Sequence, residues 1–394
     1  MTTGFCPGYR AGAVMAGVKY RDRLDLGLVV SDVPASVAGV FTRNRVAAAP
    51  VRLDRKRVRG GQCQAVLVNS GNANCCTGGS GMDDALAMSR AAAAALSLPE
   101  EWICVGSTGV IGVPLPVSRI TRAIPGLAAE LRPEGLEDFA RAILTTDLTT
   151  KIATATGSVN GKSFTVTGVA KGSGMIRPDM ATMLCYVFSD AAAAPETLRS
   201  ALRSAADATF NRITVDGDTS TNDTVLLLAN GVSGASVDEA PGRSAFQEAL
   251  LSVMGALARM VVRDGEGATK LCDVTVTGAL TDADARAVAD AVAHSNLVKT
   301  ALFGEDANWG RIIAAAGRAG APLMADRIAI FFDDVQMVRG GAGLGSMAEA
   351  KATEVLQQPE LTLTIDLGLG EGRASVLTCD FSDDYVRINA DYRT

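Results

Sequence analysis

Two rhythms of apolar residues alternate along this chain. Short apolar-rich runs, QAVLVNSG (64–71), WICVGSTGVIG (102–112), SFTVTGVA (163–170) and TMLCYVF (182–188), read as strands, several feeding polar or glycine-rich turns. Between them lie alanine-rich stretches of helical period at 82–98 and 195–210, the latter with Pro195 set for a first helical turn. The second half repeats the scheme, with strands at 273–278, 327–332, 361–367 and 374–381 and helices near 281–293, 310–319 and 346–357. The stretch 212–230 reads as two strands, or a strand and a helix, around an acidic loop. This order predicts a mixed α/β protein with mixed sheets. The expected division is a main catalytic α/β domain over 1–270 and a smaller C-terminal α/β domain over 271–394.

Composition removes several function classes. The chain has 394 residues, 48 % of them hydrophobic, enough to bury a large core. No apolar run reaches the ~18–20 residues that cross a bilayer, so no membrane partner is expected. The N-terminus lacks a basic segment followed by an apolar one, which argues against export. Net charge is −6, without a Lys/Arg-rich tract, so nucleic acid is not the expected partner. The single histidine, His294, cannot build a multi-histidine metal site, and its place in ADAVAHSNLV suits a satisfied helical residue. Eight cysteines without a CxxC pair fit a reduced, cytoplasmic protein with buried thiols. Among them, Cys75-Cys76 is either a reactive vicinal pair or a packing element of a loop.

Five polar, glycine-rich clusters fall where strands end: NSGNAN (69–74), STGVIG (107–112), KGSGMI (171–176), DGDTSTND (216–223) and DGEGATK (264–270). Glycine-exposed N–H groups at strand ends suit an oxyanion hole or a carboxylate pocket. DGDTSTND is not a calcium loop, because Thr221 stands where glycine is needed and Leu227 where glutamate is needed. It reads instead as a hydroxyl and carboxylate network buttressing a site. GGAGLGS (340–346) lacks nucleotide-binding spacing and reads as a surface connection. The most informative segment is KGSGMIRPDMATML, Lys171 to Leu184. Its Ala181-Thr182 junction, at the mouth of a strand and near a lysine, suits a self-cleaving precursor. Cleavage there releases an α-amine that serves as base to the weakly nucleophilic Thr182 hydroxyl. The competing reading is a tight turn with Thr182 in a buried strand.

These segments together resemble the ornithine acetyltransferase (glutamate N-acetyltransferase) family of arginine biosynthesis. The resemblance runs through VFTRNRVAAAPV, NSGNAN, STGVIG, TTD, the Lys171–Leu184 block, DGDTSTND, DGEGATK, LVKTALFGEDANWGR and YVRINADYRT. It implies cleavage between Ala181 and Thr182, with Thr182 as nucleophile and Thr108 and Gly109 as oxyanion hole. Thr145, Lys171, Thr182, Glu266, Asn389 and Thr394 are implied to line the substrate site. Because the implied substrates are zwitterionic amino acids, charge alone leads us to expect Lys171 to face a carboxylate and Glu266 an amine. The implied reaction is ping-pong acetyl transfer from N2-acetyl-L-ornithine to L-glutamate, with acetyl-CoA as a further donor in bifunctional members. No metal or organic cofactor is implied. The implied fold is a layered, N-terminal-nucleophile-like α/β/β/α arrangement, cut into fragments 1–181 and 182–394 that associate as α2β2 or larger. The chain departs from the family pattern at Cys75 and Ala307, commonly Ala and Pro, and in TTDLTTK, which lacks the usual Pro before Lys151. Two rival readings are an amidohydrolase or aminopeptidase of related fold, with water as acyl acceptor, and a non-catalytic binder of acetylated amino acids.

Overall fold

Strand β2 (Leu26–Phe41) organises the first part of the chain. It is sixteen residues long and apolar on both faces over Leu26–Val30, so it must be covered on both sides. Its pairing register with β3 (Gln62–Asn69) shifts between Val30 and Ala35. Pro34 lies inside that irregularity, exposed, where a missing N–H costs no ladder bond. A register shift of this kind bends a strand. Before the shift, β2 pairs on its other edge with β1 (Tyr9–Val14), and after it with β8 (Thr224–Ala229).

The computed structural model describes residues 5–177 and 183–391. They form two compact units, one over 5–177, 183–211 and 218–261, the other over 212–217 and 262–391. The first unit also holds α1 (Ala49–Arg57), α2 (Ser80–Leu96), β4 (Ile103–Ser107), α3 (Val117–Ala129), α4 (Leu136–Ala142) and β5 (Lys151–Val159). Then follow β6 (Lys162–Lys171), β7 (Leu184–Ser189), α5 (Pro195–Ala208) and α6 (Gly242–Arg263), whose last turn enters the second unit. The hydrogen-bonded order is β4-β3-β2-β8-β7-β6-β5, with β1 beside β2. Within it β3–β4 and β7–β8 are parallel and the other pairs antiparallel.

Strand alternation shows the layers. Val66, Val68 and Cys104 from β3 and β4 share one core with Leu184, Tyr186, Phe188, Leu226 and Leu228 from β7 and β8. The two halves of the sheet therefore face each other across the bend in β2. The alternate residues Ala65, Leu67, Ile103 and Val105 point the other way, onto Met88 of α2 and Ile120 and Ile124 of α3. On the outer side of the second half, α6 presses Val253 and Leu257 onto the bare backbone of Gly168 in β6, and α5 packs on β2 and β8. The expected α/β/β/α layering with mixed sheets is thus the architecture of this unit.

The second unit contains β9 (Leu271–Ala279), α7 (Asp282–Ala293), α8 (Asn296–Phe303), α9 (Trp309–Gly317), β10 (Ala329–Phe332), β11 (Val335–Arg339) and β12 (Ala342–Gly343). It closes with α10 (Ser346–Leu356), β13 (Glu360–Asp366), β14 (Gly372–Cys379) and α11 (Asp383–Asp391). The sheet order is β12-β11-β10-β13-β9-β14, with only β13–β9 parallel. Its core is formed by side chains such as Val274, Val276, Ile330, Leu363 and Val376 with Val288 and Val292 of α7.

Three sequence expectations need correction. RITV (212–215) is not a strand; Thr214 N–H bonds the Leu377 carbonyl at 2.9 Å as a lone bridge segment, and only Thr224–Ala229 is extended in that stretch. His294 sits just past the end of α7, with Nδ1 2.6 Å from the Asp290 carbonyl, not inside the helix. A stretch long and apolar enough to cross a bilayer does exist, in α6. Its residues Phe246, Leu250, Val253, Met254 and Leu257 are buried in the protein, which accounts for their apolarity.

Phe139 of α4 is fully buried, its ring in an edge-to-face contact with that of Tyr186 at 5.8 Å between centroids, with Cδ2 and Cε2 in the space where Gly27 has no side chain. Phe139→Ala is expected to cost about 3–5 kcal/mol of unfolding free energy. Urea titration checks this, and a loss under about 1 kcal/mol would place the ring outside the core that joins the two half-sheets.

Candidate active site

Parallel strands β3 and β4 end side by side at Asn69 and Ser107, and the polar turns that follow are knitted by asparagine side chains. Ser107 Oγ donates to Asn69 Oδ1 at 2.6 Å, and Asn69 Nδ2 donates to the Asn72 carbonyl at 3.0 Å. Asn72 Nδ2 reaches the Val113 carbonyl at 3.0 Å, while Asn72 Oδ1 accepts from Asn74 N–H at 2.8 Å. Backbone bonds tie the two turns together: Thr108 N–H to Asn69, Ala73 N–H to Val110 and Gly112 N–H to Cys75. Gly109 has φ +129°, and a Cβ there would sit 2.6 Å from Asn72 N. Only glycine fits, so NSGNAN and STGVIG specify one structure between them. Thr108 and Gly109 stay half-buried at its rim.

Lys171 closes β6 and is turned inward, 8 % exposed. Its Nζ donates to Thr145 Oγ1 at 2.9 Å and lies 3.5 Å from Thr108 Oγ1. Thr108, Gly109, Thr145 and Lys171, predicted from separate motifs, are therefore drawn together at the ends of β4 and β6. Behind them is a residue that the sequence reading passed over, Asp147. Its Oδ1 accepts from Lys151 Nζ at 2.8 Å and from Gly172 N–H at 2.6 Å. Its Oδ2 accepts from Thr145 N–H at 3.1 Å and lies 3.6 Å from Lys171 Nζ. The side chains of Asp147 and Lys151 are both fully buried. Burial opposes ionisation of Asp147, but the charges of Lys171 and Lys151 and the N–H donors overcome it and hold the carboxyl below its ordinary range. Its signal in the sequence was the charge pair four residues apart in TTDLTTK, easily taken for a solvated surface pair.

DGDTSTND supplies the expected buttress through its residues 219–223. Asn222 Nδ2 donates to the Ala73 carbonyl at 2.6 Å and the Ser107 carbonyl at 2.8 Å, bracing both turns. Thr42 Oγ1 donates to the Ser220 carbonyl at 2.8 Å, and Asn44 Nδ2 to the Thr219 carbonyl at 3.0 Å. Asp223 is buried, which pushes its carboxyl well above the usual range against the pull of the Ser220 and Thr42 hydroxyls and the Lys171 charge. Thr224 N–H bonds the Met183 carbonyl at 2.9 Å, and Leu184 lies across from Lys171 in the β6–β7 register. Ala181, Thr182 and Thr394 lie outside the described residues.

In the second unit Glu266 and Asn389 are brought together. Glu266 is buried, and its Oε2 accepts from Asn389 Nδ2 at 2.9 Å. The DGEGATK turn is fastened to the end of β14, with Thr269 N–H and Lys270 N–H on Asp380 Oδ1 at 2.8 and 2.9 Å. Ser382 Oγ donates to the Gly267 carbonyl at 2.5 Å, so the start of α11 is held to the same turn. No cluster of His, Cys, Asp or Glu suited to a metal occurs among the described residues.

Hydroxyls, glycine-exposed backbone and a buried lysine at the strand ends of an α/β/β/α unit are the parts of an acyltransferase. The chain belongs to the ArgJ family, whose model matches residues 10–394. It is 53 % identical over 389 residues to the arginine biosynthesis bifunctional protein ArgJ of Geobacter sulfurreducens, covering 98 % of this chain and 99 % of that protein. The protein of the same name from Syntrophotalea carbinolica is also 53 % identical, over 390 residues, again with 98 % and 99 % covered. Among solved structures it resembles the ArgJ protein of Bacillus halodurans, with 42 % identity and a TM-score of 0.50, over 52 % of this chain and 96 % of that one.

Asp147→Asn is expected to cost about 3–5 kcal/mol, because it leaves Lys151 buried without its counter-charge. The sign of the pH dependence follows from the lowered carboxyl. Its stabilisation is present above the unfolded value near about 4 and is lost as pH falls through the folded value. Denaturation followed from pH 7 down to roughly pH 2 should therefore show the gap between wild type and variant narrowing progressively below about pH 4. A gap that stays constant would contradict an ionised, clamped Asp147.

Proposed function

We infer that this enzyme transfers the acetyl group of N2-acetyl-L-ornithine to L-glutamate in arginine biosynthesis, through an ester on Thr182. The observation that carries this reading is the convergence of Thr108, Thr145 and Lys171 on one point at the ends of β4 and β6, within a family match spanning the chain. Acyl transfer needs a nucleophile, a proton acceptor and donors aimed at the developing oxyanion. Cleavage between Ala181 and Thr182 supplies the first two together, a hydroxyl and its own α-amine. Thr182 Oγ attacks the acetyl carbonyl, and the amine takes the hydroxyl proton and passes it to the departing ornithine nitrogen. The Thr108 hydroxyl and Gly109 N–H hold the tetrahedral oxygen. In the second half the α-amine of glutamate attacks the ester, with the proton relayed in reverse, and N-acetylglutamate leaves.

Lys171 gives the substrate α-carboxylate a fixed positive partner, kept in place by Asp147. Glu266, braced by Asn389, receives an amino group, and Thr145 and Thr394 are further substrate-binding residues. No cofactor takes part in any of these steps. Acetyl-CoA serves as a second donor to the same threonine, a capacity supported by the word bifunctional in the relatives' names. The fragments 1–181 and 182–394 stay associated, as α2β2, in the cytoplasm. The solved Bacillus halodurans chain supports cleavage by its length, since about half of this chain covers nearly all of it.

Thr182→Ala is expected to leave one uncleaved chain with transfer lowered by about 10⁴-fold or more, since nucleophile and base vanish together. Denaturing electrophoresis and a glutamate-dependent transfer assay check both effects. A variant that is processed and active would overturn the mechanism. A wild type that releases acetate at the same rate with and without glutamate would make it a hydrolase.

A further inference from the structure

One feature of the turn system takes no part in the transfer reaction, the adjacent thiols of Cys75 and Cys76. Their Sγ atoms lie 3.7 Å apart. Cys76 is exposed, and Asn74 and Cys76 both hold positive φ, at +46° and +58°. Cys75 is buried, with Sγ on the Val46 carbonyl at 3.8 Å. Its own carbonyl accepts Gly112 N–H at 2.9 Å, the bond that closes the turn bearing Thr108 and Gly109. The neighbouring Asn74 is fully committed as well, with Nδ2 on the Gly81 carbonyl at 2.8 Å and its carbonyl on Ala49 N–H at 3.2 Å. The other six cysteines are all buried, and Cys76 is the exposed one.

We propose that Cys75 and Cys76 form a modification site for low-molecular-weight disulfides, closing into a reversible vicinal disulfide that loosens the 107–112 turn. The exposed Cys76 thiolate attacks one sulfur of the small disulfide, forming a mixed disulfide and releasing one thiolate. The Cys75 thiolate then attacks Cys76 Sγ and expels the second. Two protein thiols are oxidised, one small disulfide is reduced, and the two protons leave with the released thiols. Burial pushes the Cys75 thiol up, which makes Cys76 the first to react. Drawing the two Sγ atoms from 3.7 Å to bonding distance moves the Cys75–Cys76 peptide and with it the Cys75 carbonyl, so the bond from Gly112 N–H weakens.

The chemistry stands on the thiol geometry alone. Its effect on catalysis rests on the reading of Thr108 and Gly109 as oxyanion donors. The test treats the cleaved, assembled protein with glutathione disulfide, maps the 69–90 region by mass, and follows amide exchange at Gly112 together with the transfer rate. The expected result is loss of two hydrogens from that region, faster exchange at Gly112 and a rate lower by about tenfold or more. Dithiothreitol should reverse all three. Cys76→Ser should show none of them, and Cys75→Ala should stop at a mixed disulfide. Free thiols, a mixed disulfide alone in the wild type, or a ring that leaves Gly112 exchange unchanged would overturn the proposal. A ring with faster exchange and an unchanged rate would sink its link to catalysis. A reduced protein without transfer activity would instead sink the functional reading, with mass and exchange still deciding the disulfide.

Discussion

The site depends on one buried carboxylate. Asp147 accepts Lys151 Nζ and Gly172 N–H on one oxygen and Thr145 N–H on the other, with Lys171 just beyond. Removing these charges from water is costly, and only mutual pairing with complete hydrogen bonding offsets the cost. Each partner therefore has one allowed place, and two chain segments, 145–151 and 171–172, are fixed against each other. Lys171 gains a defined position and Thr145 a defined backbone, the prerequisites for a pocket that orients a small charged substrate.

The bend in β2 does the corresponding work at the scale of the sheet. Because β2 pairs with β1 and β3 before the register shift and with β8 after it, its two halves fold onto one another over the Val66, Tyr186 and Leu226 core. The ends of β4 and β6 are thereby assembled in one unit, and asparagine ties convert their turns into a rigid rim. Asn222 carries that rigidity further by bracing the Ala73 and Ser107 carbonyls from the 219–223 segment. Polar residues are buried here in number, and the bonds made by Asn69, Asn72 and Asn222 help to make that burial tolerable.

Much of this was legible in the sequence where local chemistry decides structure. The apolar runs at 64–71 and 361–367 became β3 and β13, and the helical period at 195–210 became α5. The glycine-rich clusters at strand ends marked the turns that hold Thr108, Gly109 and Lys171, while the roles of these residues and of Thr145 came from the family resemblance. What stayed hidden was set by tertiary contact. RITV is β-branched enough for a strand but finds only the Leu377 carbonyl as partner. The apolarity of α6 reflects its burial behind β6, which no window of sequence reveals. Asp147 was missed because a pair at i and i+4 looks the same in solvent and in a core; only the fold makes it a clamp. The pairing of Glu266 with Asn389 spans more than a hundred residues, so its geometry could not be read from spacing.

The central claim is that acetyl passes through Thr182. The most direct measurement mixes the purified protein with N2-acetyl-L-ornithine without glutamate, quenches in acid, and locates any added acetyl group by fragment mass. The account predicts two fragments, the second beginning at Thr182 and carrying one acetyl group on that residue's hydroxyl, which disappears when glutamate is added before the quench. An unmodified second fragment under conditions of active transfer, or an acetyl group elsewhere in the chain, would contradict it.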